Sequence, residues 1–409
     1  MEITLSVPFK YVPNKYIRKM LEDFRDMVNW CIEKAIENNV TSYYSLRKLI
    51  YNEWKQRWDY STHFCHSACR VATSMLKSWR RLKRKGLAKG DRPVARKLFI
   101  QLDHQLVKYE GDRIRISVKP RKFLYIKLKY GKYQRKFIDE WKTGRLRVGE
   151  ISINETKVLI PFRKVVDLTD PEDWIAIDIN ESNITGVSSN PHILRIEHDL
   201  RTIHTTYFEI RRRIQKLSKY KPITSKRLMR KYSGREKRKA HDLCHKIARI
   251  VVDFAKKHGF GIIMEDLRGI RKSINKGRNL NRRLHSWNFR KLQFFIEYKA
   301  KLNGIPVVYV NPRNTSSLCP ICGGKLAPNG RRLMKCRSCG YENDRDVIAC
   351  LNMLRMRGVS VPPECLSMKP FWWRGEGSPH TYVTKVIKVA ENQNGRVPRL
   401  RNSVWVRAT

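Results

Sequence analysis

The stretch "CGYENDRDVIACLN", Cys339 to Asn352, sets two aspartates one residue apart, directly after a cysteine pair and at the head of an apolar run. In a helix that begins near Asn343 or Asp344, each residue lies about 100° further round than the last. Val347, Cys350, Met353 and Leu354 then form an apolar arc with Asp346 near its centre, and Asp344 falls on the side of Asn352 and Arg355. Asp344 suits the N-cap, where a carboxylate accepts hydrogen bonds from the free N–H groups of the first turn. Asp346 points where the core belongs. A carboxylate buried there requires a compensating cation, and a metal ion is the simplest one.

Two more carboxylates fit the same description. Asp178 stands mid-strand in "WIAIDINESN", with Ile175, Ile177 and Ile179 on the opposite face, and Glu265 ends the strand "GIIMED". Taken singly, an Asp in a strand is more often a turn or cap residue; the combination carries the reading. Three carboxylates on separate elements can hold a pair of Mg²⁺ ions about 4 Å apart, one activating water and the other stabilising the leaving oxygen of a phosphodiester. That constellation describes a nuclease.

The cysteines upstream have a different task. Cys319 and Cys322 lie in "CPICGG", Cys336 and Cys339 in "CRSCGY". Each C-x-x-C turn aims two sulfurs at one point, and Gly323 and Gly340 permit the tight knuckle. Four thiolates suit a structural Zn²⁺ and leave no open position for a substrate. A redox dithiol usually has one such pair rather than two. A rival cluster at "STHFCHSACR" places Cys65 and Cys69 on the apolar stripe of Phe64, Ala68, Ala72, Met75 and Leu76, so core is the better reading there.

With 86 Lys plus Arg against 37 Asp plus Glu, the 409-residue chain carries a net charge of +49. Nucleic acid is the commonest partner of so basic a protein. The chain has no apolar run of membrane-spanning length and no signal-peptide layout at "MEITLSVPFKYV", which predicts a cytoplasmic, nucleoid-associated protein with no membrane partner.

The hydrophobic period changes along the chain. "ITLSV" alternates as a strand, "NKYIRKMLEDFRDMVNWCIEKAIE" repeats its apolar residues at three and four, and helices follow near Tyr43 to Trp54 and Ser61 to Lys85. From about Arg96 to Lys164, "KLFIQL", "RIRISV", "KFLYIKLKY", "RVGEISI" and "KVLIPF" predict a small barrel or curved sheet. Past a boundary at "DLTDPEDW" come strands "WIAIDIN", "GVSS" and "HILRIEHD", a basic helical region from about Leu200 to His258, strand "GIIME", a helix around Trp287 to Asn303, and strand "PVVYV". Three successive strands followed by strand–helix alternation is the order of an RNase H-like α/β fold. Residues 211–239 hold fourteen Lys or Arg and one acid, Glu236. They predict a nucleic-acid-facing helical hairpin, with Arg211, Arg212, Arg213, Lys237, Arg238 and Lys239 as phosphate contacts.

"AIDINESNITGV", "IIMEDL", "YKAKLNGIPVVYV" and the block from "NTSSLCPICGG" to "CRSCGYENDRDVIACLN" closely resemble the TnpB proteins of insertion sequences, relatives of the single-RuvC CRISPR effector nucleases. The resemblance covers about Trp174 to Asn352; the N-terminal part matches only in layout. It implies a multidomain α+β protein: a wedge β-barrel (1–10 and 90–168) interrupted by a helical recognition domain (11–89), an RNase H-like RuvC nuclease domain (169–318 and 341–358), an inserted zinc ribbon (319–340) and a C-terminal tail (359–409). Asp178, Glu265 and Asp346 correspond to the RuvC triad, and the four cysteines to the zinc ligands. The family's "D-x-N-A-A" reads here with Ile348 for Asn and Cys350 for Ala, and "DINES" stands for the usual "DLG". The implied activity is Mg²⁺-dependent, RNA-guided cleavage of double-stranded DNA beside a short target-adjacent motif, with base pairing to a guide RNA from the element's end choosing the site. A guide-RNA-dependent DNA binder without cleavage and an autonomous RNase H-like transposase are the alternatives. In the tail, Trp372, Trp373 and Arg374 suit either base stacking or docking onto the body.

Overall fold

In the computed structural model the chain divides into two units, Met1–Val165 and Val166 onward, just before "DLTDPEDW". Residues 1–368 and 384–389 are described, except 111, 271–276 and 331. Trp372, Trp373 and Arg374 lie outside the described residues.

The first unit runs β1 (Glu2–Lys10), α1 (Lys15–Glu37), α2 (Tyr43–Arg57), α3 (Thr62–Arg84), β2 (Phe99–Leu102), β3 (Val107–Glu110), β4 (Arg113–Lys119), β5 (Lys122–Lys127), α4 (Lys132–Lys142), β6 (Arg147–Val148), β7 (Ile151–Asn154) and β8 (Lys157–Val165). Asn14 caps α1 by accepting from the Ile17 N–H at 2.9 Å. The stripe from Ile17 to Ala35 is buried, as its spacing predicts. Cys65 and Cys69 are fully buried core residues of α3. The strands expected to form a small barrel or curved sheet belong to two sheets, one in the order β1-β8-β7-β2 with β6 also on β8, the other β3-β4-β5. An isolated bridge pairs Lys10, the last residue of β1, with Lys129, two residues past β5. Helix α4 was hidden among strand signals; Gln134 Oε1 accepts from the Gly131 N–H at 3.1 Å to start it, and Phe137, Ile138 and Trp141 turn to the core.

The second unit continues with β9 (Trp174–Ile179), β10 (Asn183–Ser188), β11 (Ile193–His198), α5 (Leu200–Leu217), α6 (Pro222–Tyr232), α7 (Arg235–His258), β12 (Gly261–Glu265), α8 (Arg278–Ser286), α9 (Phe289–Leu302), β13 (Val307–Val310), β14 (Leu326–Pro328), β15 (Leu333–Cys336), β16 (Glu342–Asp344), α10 (Arg345–Met356), α11 (Pro363–Ser367) and β17 (Thr384–Val389). Its main sheet has the order β13-β12-β9-β10-β11-β17. Strands β9, β10 and β11 pair antiparallel, whereas β12 joins β9, β13 joins β12 and β17 joins β11 in parallel. Strand alternation sorts the two faces. Ile175, Ile177, Ile179, Ile262 and Met264 pack with α5, α7 and α9; Trp174, Ala176, Val187, Ile193 and Ile263 pack with Val347, Cys350 and Leu354 of α10. The next positions on the α10 face are Asp178, Thr185, Arg195 and Glu265. Strand β17, inside the segment read as a tail, extends this sheet.

Candidate active site

Strand register sets one polar row across the sheet. Thr185 of β10 faces Asp178 of β9 on one side and Arg195 of β11 on the other. Helix α10 brings Asp346 to this row. Asp344 is the N-cap, accepting from the Asp346 N–H at 2.7 Å, and Asp346 itself is buried at 3 % exposure. Thr185 Oγ1 donates to Asp346 Oδ2 at 3.5 Å, and Arg195 donates to the same oxygen at 3.1 Å and to Thr185 Oγ1 at 2.8 Å. Arg332, in the connection between β14 and β15, also donates to Asp346 Oδ2. The inward aspartate foreseen from the helical arc is therefore present, and its counter-charges in this structure are two arginines.

Asp178 is held well above the ordinary carboxylate range by burial first, then by the carboxylates of Asp346 and Glu265; a 2.8 Å hydrogen bond from Asn180 opposes the shift. Burial also raises Glu265, against a 2.7 Å hydrogen bond from Thr315 and the charge of Arg345. Gln293 of α9 donates to the Glu265 carbonyl at 2.7 Å and fixes the end of β12. The adjacent Asp266 is a different kind of group: Arg268 grips it and lowers it to about 2. Asp178, Glu265 and Asp346 are thus electrostatic neighbours whose oxygen donors are of the type hard divalent cations take, although they are not drawn together as tightly as the four sulfurs. Carboxylates gathered this way raise one another's pKa values or draw in a cation.

The four cysteines are already assembled. Their sulfurs all lie within 4.8 Å of one another, the one group of three or more such side chains among the described residues drawn tight enough to hold an ion. Cys319 and Cys339 sulfurs are 3.6 Å apart, Cys322 and Cys336 3.5 Å. The two knuckles repeat one geometry: Gly323 N donates to the Cys319 carbonyl at 3.0 Å and Gly340 N to the Cys336 carbonyl at 3.2 Å, with both glycines at φ +72°. Left-handed φ of this kind favours glycine. Asn352 couples this group to the helix that carries Asp346: its Nδ2 donates to the carbonyls of Thr315 at 2.7 Å and Leu318 at 2.8 Å.

The basic run folds as three helices rather than a simple hairpin. Arg212, Arg213, Lys237, Arg238 and Lys239 are exposed. Arg211 is instead bound to Glu236, which also takes His204 at 2.7 Å, and Lys239 lies over the Tyr207 ring at 5.6 Å. Sequence reasoning overlooked Thr185, Arg195, Thr315 and Arg332. Only Arg195 left a trace, a cation on the core face of "ILRIEH".

Residues 289–353 match the family model of the Cas12f1-like TNB domain, and residues 20–117 that of the uncharacterized protein MJ0013 family. In overall fold the chain is similar to the Cas12f1 of a cryo-EM complex with sgRNA and target DNA, with a TM-score of 0.54 and 16% identity over 82% of this chain and 81% of that one. It shares 40% identity over 112 residues with the CRISPR-associated endodeoxyribonuclease Cas12f1 of Sulfoacidibacillus thermotolerans, 27% of this chain and 25% of that one. The fold is therefore mixed α+β and multidomain, similar to that of the Cas12f1 chain. The TnpB-like protein MJ0751 of Methanocaldococcus jannaschii is 48% identical over 257 residues, 61% of this chain and 92% of its own. The chain belongs to the TnpB-like family.

Proposed function

We propose that the protein is an RNA-guided DNA endonuclease of a transposable element, which binds a guide RNA from the element's end and cuts complementary double-stranded DNA beside a short target-adjacent motif. The observation that carries this reading is the convergence of Asp178, Glu265 and Asp346 on one face of the sheet. The strand order, three antiparallel strands followed by two parallel ones, supports an RNase H-like RuvC domain. The first unit, two sheets with a helical insertion, corresponds to the wedge and recognition parts. The two relatives called Cas12f1, one an endodeoxyribonuclease and one solved with sgRNA and target DNA, support the same activity and partners. The net charge of +49 suits a chain that must hold RNA, heteroduplex and displaced strand.

Asp178, Glu265 and Asp346 would hold Mg²⁺, which when bound supplies activation of water and stabilisation of the leaving oxygen. Asn180 and Thr315 orient two of these carboxylates, and Thr185 with Arg195 orients the third. The cysteine tetrad would hold Zn²⁺ and, through Asn352, keep α10 in register with the sheet. Exposed Arg212, Arg213, Lys237 and Arg238 offer phosphate contacts. No helix among the described residues is long and apolar enough to cross a membrane. The experiment is to sequence the RNA that copurifies with the protein and to challenge the complex with Mg²⁺ and a plasmid library matched to that RNA. Linear product from matched plasmids with one flanking motif is the expected result. Tight target binding without any cut would instead favour the binding-only alternative, for which the arginines on Asp346 are the supporting observation.

A further inference from the structure

The two arginines on Asp346 come from parts of the second unit with different freedom. Arg195 projects from the middle of the sheet, its side chain is 10% exposed, and Thr185 also holds it. Arg332 belongs to the β14–β15 connection. Its side chain is 39% exposed and its Nε stands 3.9 Å from Asp344. The Arg332 backbone is pinned, because its carbonyl accepts from the Arg345 N–H at 2.8 Å, and it sits at φ +67°, a conformation that residues with a Cβ rarely adopt. A fixed backbone with a half-exposed side chain confines any movement to the guanidinium arm.

A divalent cation on Asp346 competes with both guanidinium groups for one carboxylate. Withdrawing Arg195 would strand a charge inside the protein, which is strongly unfavourable. Withdrawing Arg332 only returns a partly solvated charge to water, where ion pairs are weak. We propose that Arg332 is the removable counter-cation of the carboxylate site: it neutralises Asp346 while the site is metal-free and turns out to solvent when divalent cations bind, whereas Arg195 remains as the positioning residue that aims Asp346. The cysteine-rich insertion then does more than brace α10, since its tip holds the site in a metal-excluding state. This inference rests on the metal-dependent reading above.

The test uses the full-length, zinc-loaded protein freed of nucleic acid, titrated with Mn²⁺ and followed by electron paramagnetic resonance of the free ion. Arg332→Gln should bind Mn²⁺ with a midpoint about fivefold lower than wild type, the scale of a partly exposed ion pair. Arg332→Lys, which keeps the charge, should stay close to wild type, and Arg195→Gln should weaken binding. A second measurement needs no variant: Mn²⁺ should raise the modification of Arg332 by phenylglyoxal, read by peptide mass spectrometry, and leave Arg195 unmodified. An unchanged or raised midpoint in Arg332→Gln, or unaltered Arg332 reactivity, would overturn the inference alone. If wild type binds no Mn²⁺ that Asp178→Asn abolishes, the metal reading of the site falls and takes the inference with it.

Discussion

The four paired cysteines and the three carboxylates Asp178, Glu265 and Asp346 are seven positions apart at their nearest, Cys339 and Asp346, yet they are gathered in different ways. The four sulfurs stand within 4.8 Å of one another, on knuckles whose glycines already have the left-handed backbone the turns require. The three carboxylates repel, two of them are pushed upward by burial, and the third is occupied by arginines. The local chain assembles the first site, and an ion there adds stability. The tertiary fold assembles the second against the mutual repulsion of its members, with Arg195 and Arg332 as counter-charges on one of them. Structural metal sites favour the first design. Sites that must release and rebind ligands during a reaction favour the second.

The comparison breaks most visibly at the cysteines. A structural Zn²⁺ in a small domain contributes on the order of 10 kcal/mol to its folding. Cys336→Ser should therefore lose stoichiometric zinc and leave residues 319–340 open to proteolysis, and the helix start at Asp344 should loosen with them. Metal analysis and limited proteolysis check this outcome.

A buried histidine on the same sheet adds a proton effect to the metal effects. Neither ring nitrogen of His198 has a hydrogen-bond partner among the described residues, and burial lowers its pKa to about 4. Its folded value lies below the unfolded one of about 6.5, so the unfolded chain takes up the proton first. Stability should fall by roughly 3 kcal/mol as pH drops from about 6.5 to about 4. Denaturant titrations across that window should show the loss with or without EDTA, and His198→Phe should flatten it.

The smallest effect sharpens the comparison because its sign is reversed. In EDTA, Asp178→Asn should stabilise the protein by about 1 kcal/mol, since it removes a buried charge that faces two others. No substitution at the cysteines should do this. Thermal melts of the metal-free variant and wild type provide the check, and a destabilised Asp178→Asn would mean that the carboxylates are well compensated without metal.

Much of this contrast is legible in the sequence. The C-x-x-C pairs, the alternation around Asp178 and the helical arc around Asp346 are local signals, and each is realised in the structure. Arg195 and Arg332 are not readable in this way. The role of Arg195 depends on the register that sets it beside Thr185, and that of Arg332 on a connection that folds back over α10; neither is encoded within a short window. Helix α4 escaped for another reason: "KYQRKFIDEWK" sits among lysine-rich strands whose alternation masks its period. Strand β17 pairs with β11 across nearly two hundred residues, and an alternating "TKVIKV" alone does not identify a partner.

On the proposed function, Asp346, not the neighbouring Asp344, belongs to a metal-dependent cutting site with Asp178 and Glu265. The direct measurement is Mg²⁺-dependent cleavage of a DNA target matched to the copurified RNA, by wild type and by Asp178→Ala, Glu265→Ala, Asp346→Ala and Asp344→Ala. The first three variants should bind RNA and target yet lose cleavage by about a thousandfold or more, because each removes one ligand of the same site. Asp344→Ala should keep cutting and lose only about 1 kcal/mol of stability with its cap. A dead Asp344→Ala beside an active Asp346→Ala would contradict the account.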